Sequence, residues 1–289
     1  MSKKPLTRDE QFLAKAAGDD VPMPKPLTRV QEFLERIVER LSGSVTEETL
    51  SNAIAQLSRK AIQFRHGKGT FTATATGTNV VWQYGGQQVQ NNNCTFDVKS
   101  DNGLICMDFD SITSLSIQND AANKMDLSDL GGKITNTLNL YRCTNITGDL
   151  SDLGGKITNT LNLNNCTNIT GDLSDLGGKI ANTLSLYNCT NITGDLSDLD
   201  GKIASMLNLS GCSSITGVYS GTKYPKTFDV STTAITSADM DANLINFAES
   251  GVRSGRFAAD GMKRTAASDD AVATLVANGW TVSGLTKES

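Results

Sequence analysis

Residues 133–217 are written in one phrase of 23 residues. Lys133–Gly155, Lys156–Gly178, Lys179–Gly201 and Lys202–Gly217 align without gaps. Leucine pairs mark the phrase at Leu138/Leu140, Leu161/Leu163, Leu184/Leu186 and Leu207/Leu209. Leu115/Ile117 stands one period earlier, and Phe228/Val230 follows after a slightly shorter interval. A unit this short cannot bury its own apolar face, so copies must stack and share one core, with atypical copies at the ends. Six coils are expected. At a strand spacing of about 4.8 Å they would form a slab on the order of 25–30 Å long.

Spacing within the phrase assigns each residue a direction. In L-x-L, alternate side chains share one face of a strand, so both leucines enter the core. Asn139, Asn162, Ser185 and Asn208 between them face outward. Cys143, Cys166, Cys189 and Cys212 occupy one repeat position. Metal-binding cysteines come as close pairs, and none is present, so this column is expected to be buried and reduced rather than a disulfide framework or a metal site. Ile146, Ile169, Ile192 and Ile215 add a further core column. Gly148, Gly171, Gly194 and Gly217 permit a corner. The D-L-S-D-L-G-G return is too short for a long helix and predicts a turn or 3₁₀ segment.

Stacking also builds charge columns. Asp149/Asp172/Asp195 and Asp152/Asp175/Asp198 form two acidic columns, and Lys156/Lys179/Lys202 a basic one. They are read as solvated faces softened by cross-column pairing, with a calcium site as the sharper alternative. The sequons at Asn145, Asn168 and Asn191 are read as by-products of the repeat.

The pattern L-x-L-x-x-C-x-x-I-T-G resembles the leucine-rich-repeat superfamily. That resemblance covers about a third of the chain and implies a solenoid. Leucine-rich repeats serve as generic binding surfaces, so it implies no particular activity.

A second duplication opens the chain. Pro5, Leu6, Thr7, Arg8, Phe12 and Leu13 recur as Pro26, Leu27, Thr28, Arg29, Phe33 and Leu34. Thr7 with Glu10, and Thr28 with Gln31, fit capping boxes. Leu27, Val30, Leu34, Ile37 and Leu41 follow a 3-4-3-4 spacing, and a third helix is expected from Thr46 to about Ile62, so residues 1–66 read as a helical arm. The Pro-Leu-Thr-Arg-x-x-x-Phe-Leu motif resembles the N-terminal arms of tailed-bacteriophage structural proteins, head-fibre and tail-associated proteins among them. The resemblance implies that these twelve residues anchor the chain, through residues 1–41, to capsid or tail proteins.

Alternating segments around Phe71, Trp82, Phe96 and Ile105 predict a small β-domain over residues 69–110. Its sequence is similar to a degenerate polycystic-kidney-disease-like domain, with Trp82-Gln83-Tyr84-Gly85-Gly86 where the usual motif carries an Asp. The coils are placed at 111–236. At 237–289, an amphipathic helix with Ser237 as candidate N-cap, then a helix and a short strand, read as a helical cap. The expected class is α+β with a repeat solenoid.

Function is narrowed by what the residues cannot do. The net charge of −5 argues against a general nucleic-acid binder, which needs a basic stripe. No apolar run is long enough to span a bilayer, and the basic start leads into Asp9 and Glu10 rather than an apolar stretch, so assembly in a host cytoplasm is expected. The sole histidine, His66, sits in a basic stretch and reads as a surface linker residue rather than a catalytic base. Repeated aspartates share one environment, which is the opposite of what tunes an acid against a base. The reading is therefore a non-enzymatic virion fibre or decoration protein with no cofactor and no metal. Its candidate ligand surface is Asn139, Tyr141, Asn162, Asn164 and Tyr187, facing a host-surface glycan or protein, and the assembly is read as a homotrimer. The alternatives are a polysaccharide depolymerase on a virion and a bacterial interaction protein without a virion link.

Overall fold

The computed structural model describes residues 60–199 and 201–288. The duplicated arm motif, with all twelve anchoring residues, lies outside them.

The N-terminal module is antiparallel. Its strands are β1 (Lys60–His66), β2 (Gly69–Thr78), β3 (Val81–Tyr84), β4 (Gln87–Val89), β5 (Asn93–Val98), β6 (Gly103–Phe109) and β7 (Ser111–Ser116). One sheet runs β1-β6-β3-β4, while β2 pairs with both β5 and β7 in another. Strict alternation drives this: Phe71, Ala73 and Ala75 of β2 are buried and the threonines between them exposed. Trp82 is fully buried against Phe64 and Phe71, and its Nε1–H donates to the Asn91 carbonyl at 3.1 Å.

β7 joins two architectures. It is antiparallel to β2 on one side and parallel to β8 (Thr137–Asn139) on the other, with Leu115 opposite Leu138. From there β10 (Thr160–Asn162), β12 (Thr183–Ser185), β14 (Met206–Asn208) and β16 (Thr227–Asp229) add in parallel. Register is set by the repeat, since Leu138, Leu161, Leu184 and Leu207 lie opposite one another and all are fully buried. A one-residue slip would turn every leucine to solvent. Around the corner, β9 (Gly148–Asp149), β11 (Ile169–Asp172), β13 (Ile192–Asp195) and β15 (Ser214–Thr216) form a second parallel sheet. The D-L-S-D-L segments are 3₁₀ turns, as the sequence predicts.

The expected α+β class is overturned. Strand outweighs helix 39% to 18%, and the described residues are mostly β. Two segments account for the change. Lys60–Ile62, assigned to the end of a helix, belong to β1. The C-terminal segment carries two helices, α1 (Ser237–Glu249) and α2 (Asp269–Ala277), but also two more parallel strands, β17 (Arg256–Arg264) and β18 (Thr281–Lys287). Phe228, Phe257 and Val282 line up across β16, β17 and β18, so the sheet continues through a segment expected to be two helices with one short final strand; β17 is the unexpected strand. The N-cap of α1 is Thr236 rather than Ser237; its Oγ1 accepts the Asp239 N–H at 3.1 Å. Phe247 of α1 closes the core end against Phe228, Phe257 and Trp280.

Candidate ligand-binding surface

The inner columns come first, because they decide which residues are left for a ligand. The four repeat cysteines are free and fully buried. Each thiol donates to a carbonyl of the preceding coil: Cys143 to Ile117, Cys166 to Leu140, Cys189 to Leu163 and Cys212 to Leu186, at 3.0–3.3 Å. Burial pushes the Cys143, Cys166 and Cys212 thiols up to about 12, and Cys189 higher still. They are core residues with a weak donor, as expected from their spacing.

The sequon asparagines are also structural. Asn145, Asn168 and Asn191 donate Nδ2–H to the carbonyls of Ala121, Thr144 and Thr167 in the preceding coil, at 2.6–2.9 Å.

The acidic columns are capping boxes. Asp149 accepts the Ser151 N–H at 3.0 Å, and Asp152 reaches back to the Asp149 N–H at 2.9 Å. Asp126/Asp129 and Asp172/Asp175 repeat this arrangement. Each first aspartate also accepts a threonine hydroxyl from the next coil: Thr147 to Asp126, Thr170 to Asp149, Thr193 to Asp172 and Thr216 to Asp195. These donors, chiefly Ser151 and Ser174, hold the Asp149 and Asp172 carboxyls below the usual carboxylate value, and Ser128 with Thr147 does the same for Asp126. Softening therefore comes from hydroxyl and amide donors. Among the described residues no ion pair joins Lys156 or Lys179 to the columns.

His66 is not a surface linker residue. It is fully buried at the end of β1, in phase with Ile62 and Phe64. Its Nε2 lies 2.9 Å from Asp120 Oδ1, its Nδ1 faces the Gly67 carbonyl at 2.5 Å, and its ring meets Phe71 edge-on. Both ring nitrogens are taken by oxygen acceptors, which leaves neither for a nucleophile. Sequence reading missed this because the partner lies 54 residues away; the inward phase of Ile62-x-Phe64-x-His66 was the available signal.

The outward strand face is a polar array broken at Ser185, which is expected to face solvent but is buried. Thr137, Thr160 and Thr183 form one row, and Asn139, Asn162, Ser185 and Asn208 the next. The amide oxygens of this row are engaged: Asn139, Asn162 and Asn208 accept the N–H two residues on, from Tyr141, Asn164 and Ser210, at 3.1–3.2 Å. Ser185 lacks that amide, and Asn164 of the preceding coil replaces it, accepting the Tyr187 N–H at 2.9 Å and the Ser185 hydroxyl at 2.7 Å. Asn164, a candidate ligand residue by sequence, thus has its carbonyl committed to the fold. The amide N–H groups of Asn139, Asn162 and Asn208 meet no acceptor among the described residues, so the row presents donors. Tyr187 is 43% exposed, and Tyr141 is half-buried.

Beside this face runs a backbone column in the left-handed region: Asn119, Arg142, Asn165 and Asn188 at φ 56–61°, then Gly211 at 83°. The conformation aims each N–H at the next coil. Asn119 donates to Tyr141, Arg142 to Asn164, Asn165 to Tyr187 and Asn188 to Ser210, at 2.8–2.9 Å. Asn and Gly tolerate this region, whereas a long side chain costs about 1–2 kcal/mol there. Arg142 and, at the end of the column, Thr232 at φ 54° depart from Asn and Gly, and the Arg142 guanidinium lies 5.2 Å from the Tyr141 ring centroid. A shallow groove of about 420 Å³ opens here, lined by Asn119, Arg142, Thr144 and Asn165. Sequence reading selected Tyr141 and passed over its neighbour; the break at 142 in the 142/165/188/211 column would have found it.

No protein-family model matches the chain, and comparison with curated proteins and with solved structures finds no match.

Proposed function

We propose that this chain is a non-catalytic display protein, of leucine-rich-repeat type, that adheres to a repeating glycan through the strand face of its coils. The observation that carries this reading is the donor row. A side-chain amide recurs at Asn139, Asn162 and Asn208, in strands stacked about 4.8 Å apart and with its oxygen already engaged; the buried Ser185, whose hydroxyl donates to Asn164, interrupts the row. A regular array of weak donors suits a ligand that is itself periodic, because each added contact binds at high effective concentration. Tyr141 and Tyr187, two coils apart, supply amphipathic rings along the same edge.

The resemblance of the duplicated Pro-Leu-Thr-Arg motif supports a virion setting. In this reading residues 1–41 attach the chain to a capsid or tail as a head fibre, tail-associated fibre or decoration protein, assembled in the host cytoplasm, and a homotrimer would multiply the donor rows. Two measurements test the reading. Immobilised host surface polysaccharide should retain the purified chain without releasing new reducing ends; release of reducing ends would convert the reading to a depolymerase. A chain lacking residues 1–41 should fail to enter particles, and full incorporation would remove the anchoring role.

A further inference from the structure

We propose that the groove at Asn119, Arg142, Thr144 and Asn165 recognises the anionic group of an acidic polysaccharide, with Arg142 as the anion-binding residue. The inference rests on the glycan reading above and names the class of glycan.

Four observations converge on Arg142. The first is its backbone. Its coil needs a left-handed residue to donate N–H to Asn164; the coils on either side meet that need with Asn119 and Asn165, Asn188 and Gly211 follow, and only the last position, Thr232, also departs from Asn and Gly. An arginine there is unfavourable for the fold, and a side chain held against local preference points to a role beyond folding. The second is its partner list. Among the described residues no carboxylate pairs with the Arg142 guanidinium, which is exposed. Arg256 and Arg264, by contrast, pair with Asp229 and Asp269. The third is pre-organisation: the Tyr141 ring underlies the guanidinium, so the charged fork is held by a face contact rather than by an ion pair. The fourth is the lining. Two asparagines and a threonine surround the arginine, and no carboxylate lines the groove.

The chemistry of such a site is narrow. A guanidinium fork matches a carboxylate or sulfate with two parallel hydrogen bonds. The flanking amides and hydroxyl suit sugar hydroxyls. A shallow groove that crosses three coils, at Asn119, Arg142/Thr144 and Asn165, admits a polymer passing through rather than a small molecule enclosed. The chain as a whole carries −5, so general attraction does not favour an acidic polymer, and recognition must be local.

The test uses the full chain on surfaces coated with alginate, dextran sulfate or unmodified dextran. These arms separate carboxylate, sulfate and neutral sugar. The expected result is retention on an acidic polymer and at least tenfold weaker retention of Arg142→Asn, whose urea midpoint stays equal or rises. Arg142→Lys should fall between the two. Arg142→Asn binding the acidic polymers within twofold of the parent would overturn the assignment while leaving the glycan reading in place. Binding to dextran alone would do the same. A lowered midpoint in Arg142→Asn would show that the arginine serves the fold and would also overturn it. Retention on none of the three would remove both readings.

Discussion

Replacing Asp149 with alanine tests how the coils are held to one another. The Asp149 side chain bonds both within its own coil, where it also accepts the N3 backbone N–H of its capping box, and across to the next coil. It accepts the Ser151 N–H at 3.0 Å within its own coil and the Thr170 hydroxyl at 2.9 Å from the next. Loss of an N-cap costs about 1 kcal/mol. Loss of a hydrogen bond to a partly exposed carboxylate adds roughly 0.5–1 kcal/mol. The Asp152 contact to the backbone N–H of residue 149 survives, so Asp149→Ala should cost about 1.5–2 kcal/mol in all. Thr170→Val removes the inter-coil bond, with the same hydroxyl's longer 3.4 Å contact to the Gly148 carbonyl, and should cost roughly 0.5–1 kcal/mol. The double variant should be no worse than Asp149→Ala alone, a coupling of about 0.5–1 kcal/mol. Urea unfolding followed by circular dichroism reads these differences, and for a domain of this size they correspond to about 2–4 °C per kcal/mol. Strictly additive losses would refute the inter-coil bond. An Asp149→Ala midpoint unchanged from the parent would refute the cap as well.

Three further outcomes follow from the same columns. Gly171 sits at φ 121° with a hypothetical Cβ only 2.7 Å from the Leu150 N of the preceding coil. Gly171→Ala should therefore cost at least about 2 kcal/mol in a chemical melt, by strain plus an inter-coil clash. Native protein at mildly alkaline pH should expose at most Cys106 to a thiol reagent, because burial raises the other thiols strongly; all six cysteines should react in denaturant. The capped aspartates have folded-state values below the ordinary 3.8. Their contribution is therefore full above that value and is lost as pH falls below it, so the urea midpoint should drop on acidification and drop less in Asp149→Asn.

The coils were legible in the sequence because their causes are local and repeated. Leucine alternation, the Cys column and the L-S-D-L turns each follow from spacing within one phrase. What escaped reading depends on distant partners or on backbone sign. His66 is paired because Asp120 meets it from 54 residues away, and only its inward phase with Ile62 and Phe64 hints at burial. Arg142 stands out only once its column is known to be left-handed. β17 escaped for a different reason: Phe257, Ala258 and Ala259 are all buried, so a strand covered on both faces shows no alternation. The α+β expectation failed mainly there and at β1, whose first residues were absorbed into a helical pattern.

Removal of one whole coil tests the central claim, that the chain is a stack of interchangeable units presenting a repeated face. Deleting residues 156–178 joins Gly155 to Lys179 and preserves every column in register. The account predicts a folded chain with a parallel-sheet spectrum and one member fewer in each row (Thr160 and Asn162), and therefore weaker retention on the immobilised polysaccharide that the parent binds. Deleting residues 156–170, which breaks the period, should unfold the stack. An unfolded whole-coil deletion, or a folded one with undiminished retention, would contradict the account.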